Sequence, residues 1–269
     1  MRPRSLLAPI VLLAPFLFVA LAGPVLACGP ESLGTRRVLA VDTAGGVRVG
    51  TKSYPATLPL ADKEVVLTFD DGPWPGTTEA VLDALARECV KATFFLIGEN
   101  AAARPALVRR MIADGHTVGH HTWSHPILSK IATADALNEI ERGIAADDRA
   151  AYGSVSATPR VAFFRFPGFA DTPELLDRLA ERKIAVFGAD LWASDWKPMT
   201  PQAQLDLVMK RLNETGRGIV LFHDTKRQTA DMLPAFLRAL KDSGYGVVHI
   251  MPAHPQAGRS FYRSLSAGG

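Results

Sequence analysis

The stretch "VVLTFDDGP", residues 65–73, sets Asp70 beside Asp71 at the end of an apolar run and turns at once at Gly72-Pro73. The run before the two acids reads as a buried strand. Two carboxylates this close repel, and burying either is costly unless a positive charge compensates. The stretch therefore has two readings. It is a polar strand-to-helix turn, or a metal site in which one Asp binds the ion and the other handles protons.

Outward from this stretch the chain alternates. Six more apolar runs read as strands: "KATFFLIG", "HTVGHH", "VAFFRFP", "IAVFGAD", "GIVLFHD" and "YGVVHI". Between them lie helical patterns, among them "TTEAVLDALARE", "TPELLDRLAERK" and "PQAQLDLVMKRLNET". Thr followed by Pro opens "TPELL" and "TPQAQ", and Gly115, Gly216 and Gly244 fall where helices should stop. Strands alternating with helices imply a parallel α/β sheet, either a closed barrel of about seven strands or an open doubly wound sheet. No Gly-rich loop follows the first strand, so a nucleotide-binding reading has no support.

The chemistry-bearing residues fall at the carboxyl ends of these strands. Asp70 and Asp71 follow the first, His121 and His125 the third, and Arg165 the fourth. Asp190 and Asp195 follow the fifth, and His223 and Asp224 the sixth. In a parallel barrel those ends share one rim, where such folds build active sites.

"HTWSH" spaces His121 and His125 four apart, which on a turn of helix puts both imidazoles on one side. His116 and His120 in "HTVGH" have the same spacing, and the pair lying further into the rim is preferred. Two His and one Asp leave room for water, the pattern of a catalytic zinc; cobalt or nickel would also suit the donors. A lone His223 after an apolar strand is by default a core histidine. On the shared rim it becomes a candidate general acid, which needs a carboxylate beside it; Asp195 is the candidate. Arg165, set among Phe residues, is a candidate for orienting the proton-accepting Asp, against the alternative of a surface ion pair.

The N-terminal residues 1–27 have a basic start, an apolar stretch broken by prolines and a small-residue end, "VLA". They read as a signal peptide, with a membrane anchor or a lipid-modified Cys28 as alternatives. Export to the periplasm or beyond is expected. The two cysteines, Cys28 and Cys89, then suit one disulfide. Residues 28–61 form a lead-in packed on the main domain, residues 62–252 the domain itself, and residues 253–269 a tail. Without the leader, 28 basic residues face 27 acidic ones, a balance that points away from nucleic acid. No protein partner is implied.

Five ordered motifs together resemble the polysaccharide deacetylases of carbohydrate esterase family four, the NodB-homology domain. They are "TFDDGP" at 68–73, "HTWSH" at 121–125, "RFPG" at 165–168, "SDW" at 194–196 and "LFH" at 221–223. The resemblance implies a distorted parallel (β/α) barrel and metal-dependent removal of acetyl groups from N-acetylglucosamine units of a glycan. It makes Asp70 the catalytic base, and Asp71, His121 and His125 the metal ligands. It assigns Arg165 to positioning the base and His223 to the acid, tuned by Asp195. Trp196 and Leu221 would line an acetyl pocket, and a backbone N–H near Gly168 would help hold the oxyanion. Two departures stand out. "RFPGF" is shorter than the commoner third motif, and Trp192 in "DLWASDW" replaces the first Asp of the fourth. Two alternatives remain: an O-acetyl esterase acting on xylan-like polymers, and a glycan-binding wall protein without catalysis.

Overall fold

The computed structural model describes residues 28–253. The expected signal peptide and all but the first residue of the expected tail lie outside them. Among the described residues no helix is long and apolar enough to cross a membrane.

In chain order the strands are β1 (Thr35–Val41), β2 (Arg48–Val49), β3 (Glu64–Asp70), β4 (Thr93–Leu96) and β5 (Thr117–His120). They continue with β6 (Phe163–Phe164), β7 (Ala185–Phe187), β8 (Leu191–Trp192), β9 (Gly218–His223) and β10 (Gly246–Pro252). The helices are α1 (Thr77–Arg87), α2 (Gly98–Ala103), α3 (Pro105–Ala113), α4 (Thr133–Tyr152), α5 (Pro173–Glu181), α6 (Pro201–Thr215) and α7 (Arg227–Asp242). Thr172 and Thr200 cap α5 and α6 by accepting from the N–H groups of Leu175 and Ala203, with Pro next in each case. Gly216 ends α6 in the left-handed conformation.

Every strand pairing is parallel, in the order β1-β10-β3-β4-β5-β6-β7-β2, with β9 on the other edge of β3 and β8 beyond it. The path β8-β9-β3-β4-β5-β6-β7 begins and ends on one stretch of chain, because only residues 188–190 separate β7 from β8. The ring is thus completed by the covalent chain rather than by a ladder between neighbours, which is the distortion of this barrel. This path has seven strands, in line with the expected barrel of about seven, and β1, β2 and β10 bring the sheet to ten among the described residues. The single expected strand "IAVFGAD" bends at Gly188 and continues as β8, and the lead-in contributes β1 and β2.

The alternation of side chains along β3 explains its composition. Val65, Leu67 and Phe69 join the layer between sheet and outer helices, with Leu82 and Leu85 of α1 and Phe236 of α7. Val66 faces the barrel interior with Phe95, Phe163, Phe187 and Ile219. Thr68 and Asp70 share that inner face, so the interior turns from apolar to polar at the carboxyl end. Leu58 and Leu60 of the lead-in join the interior cluster. Cys28 and Cys89 form a disulfide with Cα atoms 5.8 Å apart, tying the start of the lead-in to the end of α1.

Two of the histidines are buried away from the polar rim. Nδ1 of His116 accepts from the Ala92 N–H, and Nε2 of His249 meets Thr117 Oγ1, whose proton goes to the Ile250 carbonyl. Burial, with the Lys91 charge nearby, lowers His116 to about 3 and His249 to about 4. A depressed histidine pKa means that the unfolded chain binds more protons, so stability is full above about pH 6.5 and is lost as pH falls below it. Between pH 7 and pH 5 each histidine is expected to remove about 2 kcal/mol. Urea unfolding at the two pH values measures the loss, and a His116→Gln, His249→Gln double variant should show a markedly smaller one.

Candidate metal centre and catalytic rim

The two adjacent acids face different partners because the backbone changes conformation between them. Asp70 is the last residue of β3, whereas Asp71 has φ +76° and starts the turn. That turn needs Gly72: a Cβ there would lie 2.1 Å from Oδ2 of the buried Asp224. Asp224 in turn accepts from Thr78 Oγ1 at 2.5 Å, and Thr78 accepts from the Trp74 N–H, so the turn is bound to the start of α1. Asn100 of α2 donates to the Asp71 carbonyl at 2.8 Å.

Asp70 is paired with Arg165, and both are buried. Arg165 Nη1 donates to Asp70 Oδ1 at 2.7 Å and to Thr68 Oγ1 at 2.9 Å. Its Nε and Nη2 donate to the carbonyls of Phe187 and Gly188, and its guanidinium lies 4.3 Å from the Phe95 ring centre. Burial raises the Asp70 pKa, while the charges of Arg165 and His223 and the Arg165 hydrogen bond oppose that rise. The carboxylate is thus a proton acceptor of enhanced basicity held in one orientation.

Asp71 Oδ1 approaches His121 Nε2 at 3.7 Å and His125 Nε2 at 3.4 Å. His121 Nδ1 donates to the Arg165 carbonyl at 2.7 Å, which fixes its tautomer and leaves Nε2 with a free lone pair. Burial lowers the His121 pKa to about 3, so the ring is neutral and able to ligate. One donor atom from each of Asp71, His121 and His125 lies within 4.8 Å of the others. Asp71 Oδ1 is buried and has no hydrogen-bond partner. An unpaired buried carboxylate oxygen facing two imidazole nitrogens fits a divalent cation: it satisfies the oxygen and removes the charge imbalance.

The expected helical turn from His121 to His125 is not formed. The loop carries Thr122 and His125 at φ +68° and +63°, and the His125 N–H donates to Thr122 Oγ1. The two rings meet with centroids 4.9 Å apart through this folded loop. His116 and His120 have other work. His116 packs against Phe94, and His120 is buried between Asp147 Oδ2 at 2.8 Å and the Val161 carbonyl at 3.0 Å.

His223, at the end of β9, has Nδ1 2.7 Å from Asp195 Oδ1, and its own N–H donates to Asp195 Oδ2 at 2.7 Å. Burial works against a charged ring here, but the hydrogen bond and charge of Asp195, with Asp71 and Asp70 beyond, outweigh it and raise the pKa to about 9. His223 is therefore protonated at neutral pH, with Nε2 turned toward Asp71 Oδ2 at 4.0 Å. Asp70, Asp71, His121, His125 and His223 border one cavity of about 420 Å³. Its opposite wall includes Phe166, Gly168, Phe169, Trp192, Trp196 and Leu221.

The ten residues that the resemblance gives a role all lie at this rim, eight on the cavity and Arg165 and Asp195 bonded to residues that line it. Asp190 does not: it is buried, accepting from Thr51, Thr57 and Ile219. Sequence reading missed Thr68, Thr78 and Asn100. Thr68 was legible in principle, since it precedes Asp70 by two in a strand and must share its face. Thr78 and Asn100 act through folded turns and left no periodic signal.

A parallel barrel-type α/β fold with a carboxylate–imidazole cradle at its carboxyl rim defines the class of protein. The polysaccharide deacetylase family profile matches residues 58–186. The chain is 33% identical over 189 residues to the peptidoglycan-N-acetylmuramic acid deacetylase PdaC of Bacillus subtilis, covering 70% of this chain and 38% of that protein. It is 33% identical over 201 residues to a chitooligosaccharide deacetylase of Sinorhizobium fredii, covering 70% and 90%. The solved peptidoglycan deacetylase Bd3279 of Bdellovibrio bacteriovorus superposes with a TM-score of 0.73 at 32% identity, over 84% of this chain and 62% of that one. The chain belongs to the polysaccharide deacetylase family. It spans about two fifths of the length of PdaC.

The cradle predicts binding of one divalent cation. Titration of metal-stripped protein should show a single site in the wild type. Asp71→Ala and His121→Ala should each weaken it by more than the ~10–100-fold that loss of an outer-shell partner costs. Unchanged affinity in both variants would rule the cradle out.

Proposed function

We propose that this chain hydrolyses the acetamido group of an N-acetylated glycan of peptidoglycan or chitin type, releasing acetate and leaving a free amine. One observation carries the proposal. The cradle of Asp71, His121 and His125 has a paired base, Asp70–Arg165, and a paired acid, His223–Asp195, on the same cavity. Asp71, His121 and His125 would hold a divalent cation, zinc by the donor set with cobalt or nickel also accepted, which would supply Lewis-acid polarisation of the acetyl carbonyl and of nearby water.

The chain's own residues supply the rest. Asp70 accepts a proton from the attacking water, and Arg165 holds the carboxylate in line while its hydrogen bonds to Phe187 and Gly188 keep the guanidinium from moving. As the C–N bond breaks, His223 gives its Nε2 proton to the departing nitrogen, and Asp195 stabilises the imidazolium before that transfer. Trp196, Leu221 and Phe166 offer an apolar wall for the acetyl methyl, and a backbone N–H at Gly168 shares the oxyanion. A protonated His223 favours the amide over the ester, because an amine leaves far more readily once protonated than an alcohol needs to. A silent glycan binder has no support, since neither base, acid nor ligand is missing.

We further propose that the chain is exported through its N-terminal leader; the Cys28–Cys89 disulfide supports an oxidising compartment and engages the sulfur that a lipid would need.

Acetate release from N-acetylglucosamine oligomers and from peptidoglycan, with and without chelator, tests the activity. Asp70→Asn should lower kcat by about 10²–10⁴-fold, the usual worth of a positioned base. Equal rates for variant and wild type would remove the assignment.

A further inference from the structure

The chemistry above leaves unused one cation in the cavity lining and another over an aromatic ring of that lining. Lys226, at the start of α7, lines the cavity, and Lys52 of the lead-in holds its Nζ 5.3 Å from the centre of the Trp192 ring. Neither forms an ion pair among the described residues. The cavity wall carries an aromatic shelf: Phe169 stacks on Trp192 with centroids 6.2 Å apart, and Trp192 meets Trp196 edge-on at 5.9 Å. Aromatic faces of this kind suit the apolar face of a sugar ring.

The position of Trp192 makes the charge meaningful. The fourth motif of the family places an acid there, and this chain has replaced it with an indole and laid an ammonium over it. The ammonium is not there by accident of a loose loop. The Lys52 N–H donates to the Ala189 carbonyl, and its neighbour Thr51 donates through N and Oγ1 to Asp190 at 2.8 and 2.9 Å. Thr57 donates to the other Asp190 oxygen at 2.6 Å, so the whole turn is bound to the link between β7 and β8. The remaining charges in the cavity are already paired or in the cradle, and the lysines are left facing whatever enters.

Resting on the deacetylase reading, we propose that Lys52, Lys226 and the Trp192 shelf form a subsite for a carboxylate-bearing sugar unit. The favoured substrate is then an anionic N-acetylated glycan such as a peptidoglycan strand, and neutral chitin-type oligomers are poorer. The carboxylate has two sources in such a strand: the lactyl group of a muramic unit that carries no stem, and the peptide's own carboxyls where a stem is attached.

The test compares kcat/KM for acetate release on four substrates. They are strands with stems, strands stripped of stems, stripped strands with their carboxyls capped as methyl amides, and neutral N-acetylglucosamine oligomers. Wild type should prefer native carboxylates over capped ones by about tenfold, and a Lys52→Ala, Lys226→Ala variant should lose that preference. A preference shown by stripped strands assigns the subsite to the lactyl carboxylate, and one confined to stem-bearing strands assigns it to the peptide. Equal rates on stem-bearing, stripped and capped strands alike, or a preference that survives in the double variant, would overturn the subsite alone. No acetate from any of the four would overturn the deacetylase reading along with it.

Discussion

A buried guanidinium holds this rim together. Arg165 is fully enclosed, and its donors tie two separate parts of the barrel together. Asp70 and Thr68 belong to β3, and the Phe187 and Gly188 carbonyls belong to the bend between β7 and β8. Its own carbonyl receives the His121 proton, which sets the tautomer of a metal-facing ring. Removing one partner from a buried ion pair leaves an uncompensated charge at a cost of about 3–5 kcal/mol. Base, ligand orientation and ring closure therefore share a single electrostatic anchor.

That anchor also resolves the repulsion between Asp70 and Asp71. The two carboxylates face different partners: the guanidinium for Asp70, and for Asp71 two imidazole nitrogens that fit a shared divalent cation. The separation is made by the backbone, since extended Asp70 and left-handed Asp71 project to different places within one residue. Asp224 presses on Gly72 from behind, and its contact with Thr78 keeps the turn from relaxing toward a conformation in which the acids would face each other. Side-chain identity alone would not distinguish two adjacent aspartates; the conformational break turns Asp70 to the guanidinium and Asp71 to the two imidazoles.

Much of this was legible beforehand for physical reasons. Strands buried on both faces give continuous apolar runs, and their carboxyl ends must carry the polar residues of any site, so the rim set could be read directly. The choice between His116/His120 and His121/His125 could not be derived from spacing, which is identical. It depends on Asp147 and Val161, which occupy both ring nitrogens of His120 and come from α4 and the approach to β6. The route by which His121 and His125 meet was misread for the same reason. Two left-handed residues in a loop bring the rings together, and left-handed Thr and His have no sequence signature comparable to glycine. The strand count missed the bend at Gly188, where the backbone of Gly50 comes so close that a Cβ on Gly50 would lie 2.5 Å from Ala189 N. Close approach of two distant glycine-containing segments is a tertiary fact with no local trace.

The lead-in is where fold and specificity join. Residues outside the alternating βα pattern usually cover a barrel without entering its chemistry. Here β2 pairs with β7, and the turn after it is fastened to Asp190, the acid just before β8. Because β7 and β8 are one chain bent at that point, the fastening acts on both the arc that carries Arg165's acceptors and the strand that presents Trp192. Asp190 is bound into the wall by Thr51, Thr57 and the Ile219 N–H, and two residues further on Trp192 presents an aromatic ring under a lysine. The same segment that is fastened to the link between β7 and β8 thus also lays a cation over the Trp192 ring, without touching Asp70, Asp71 or the cradle histidines.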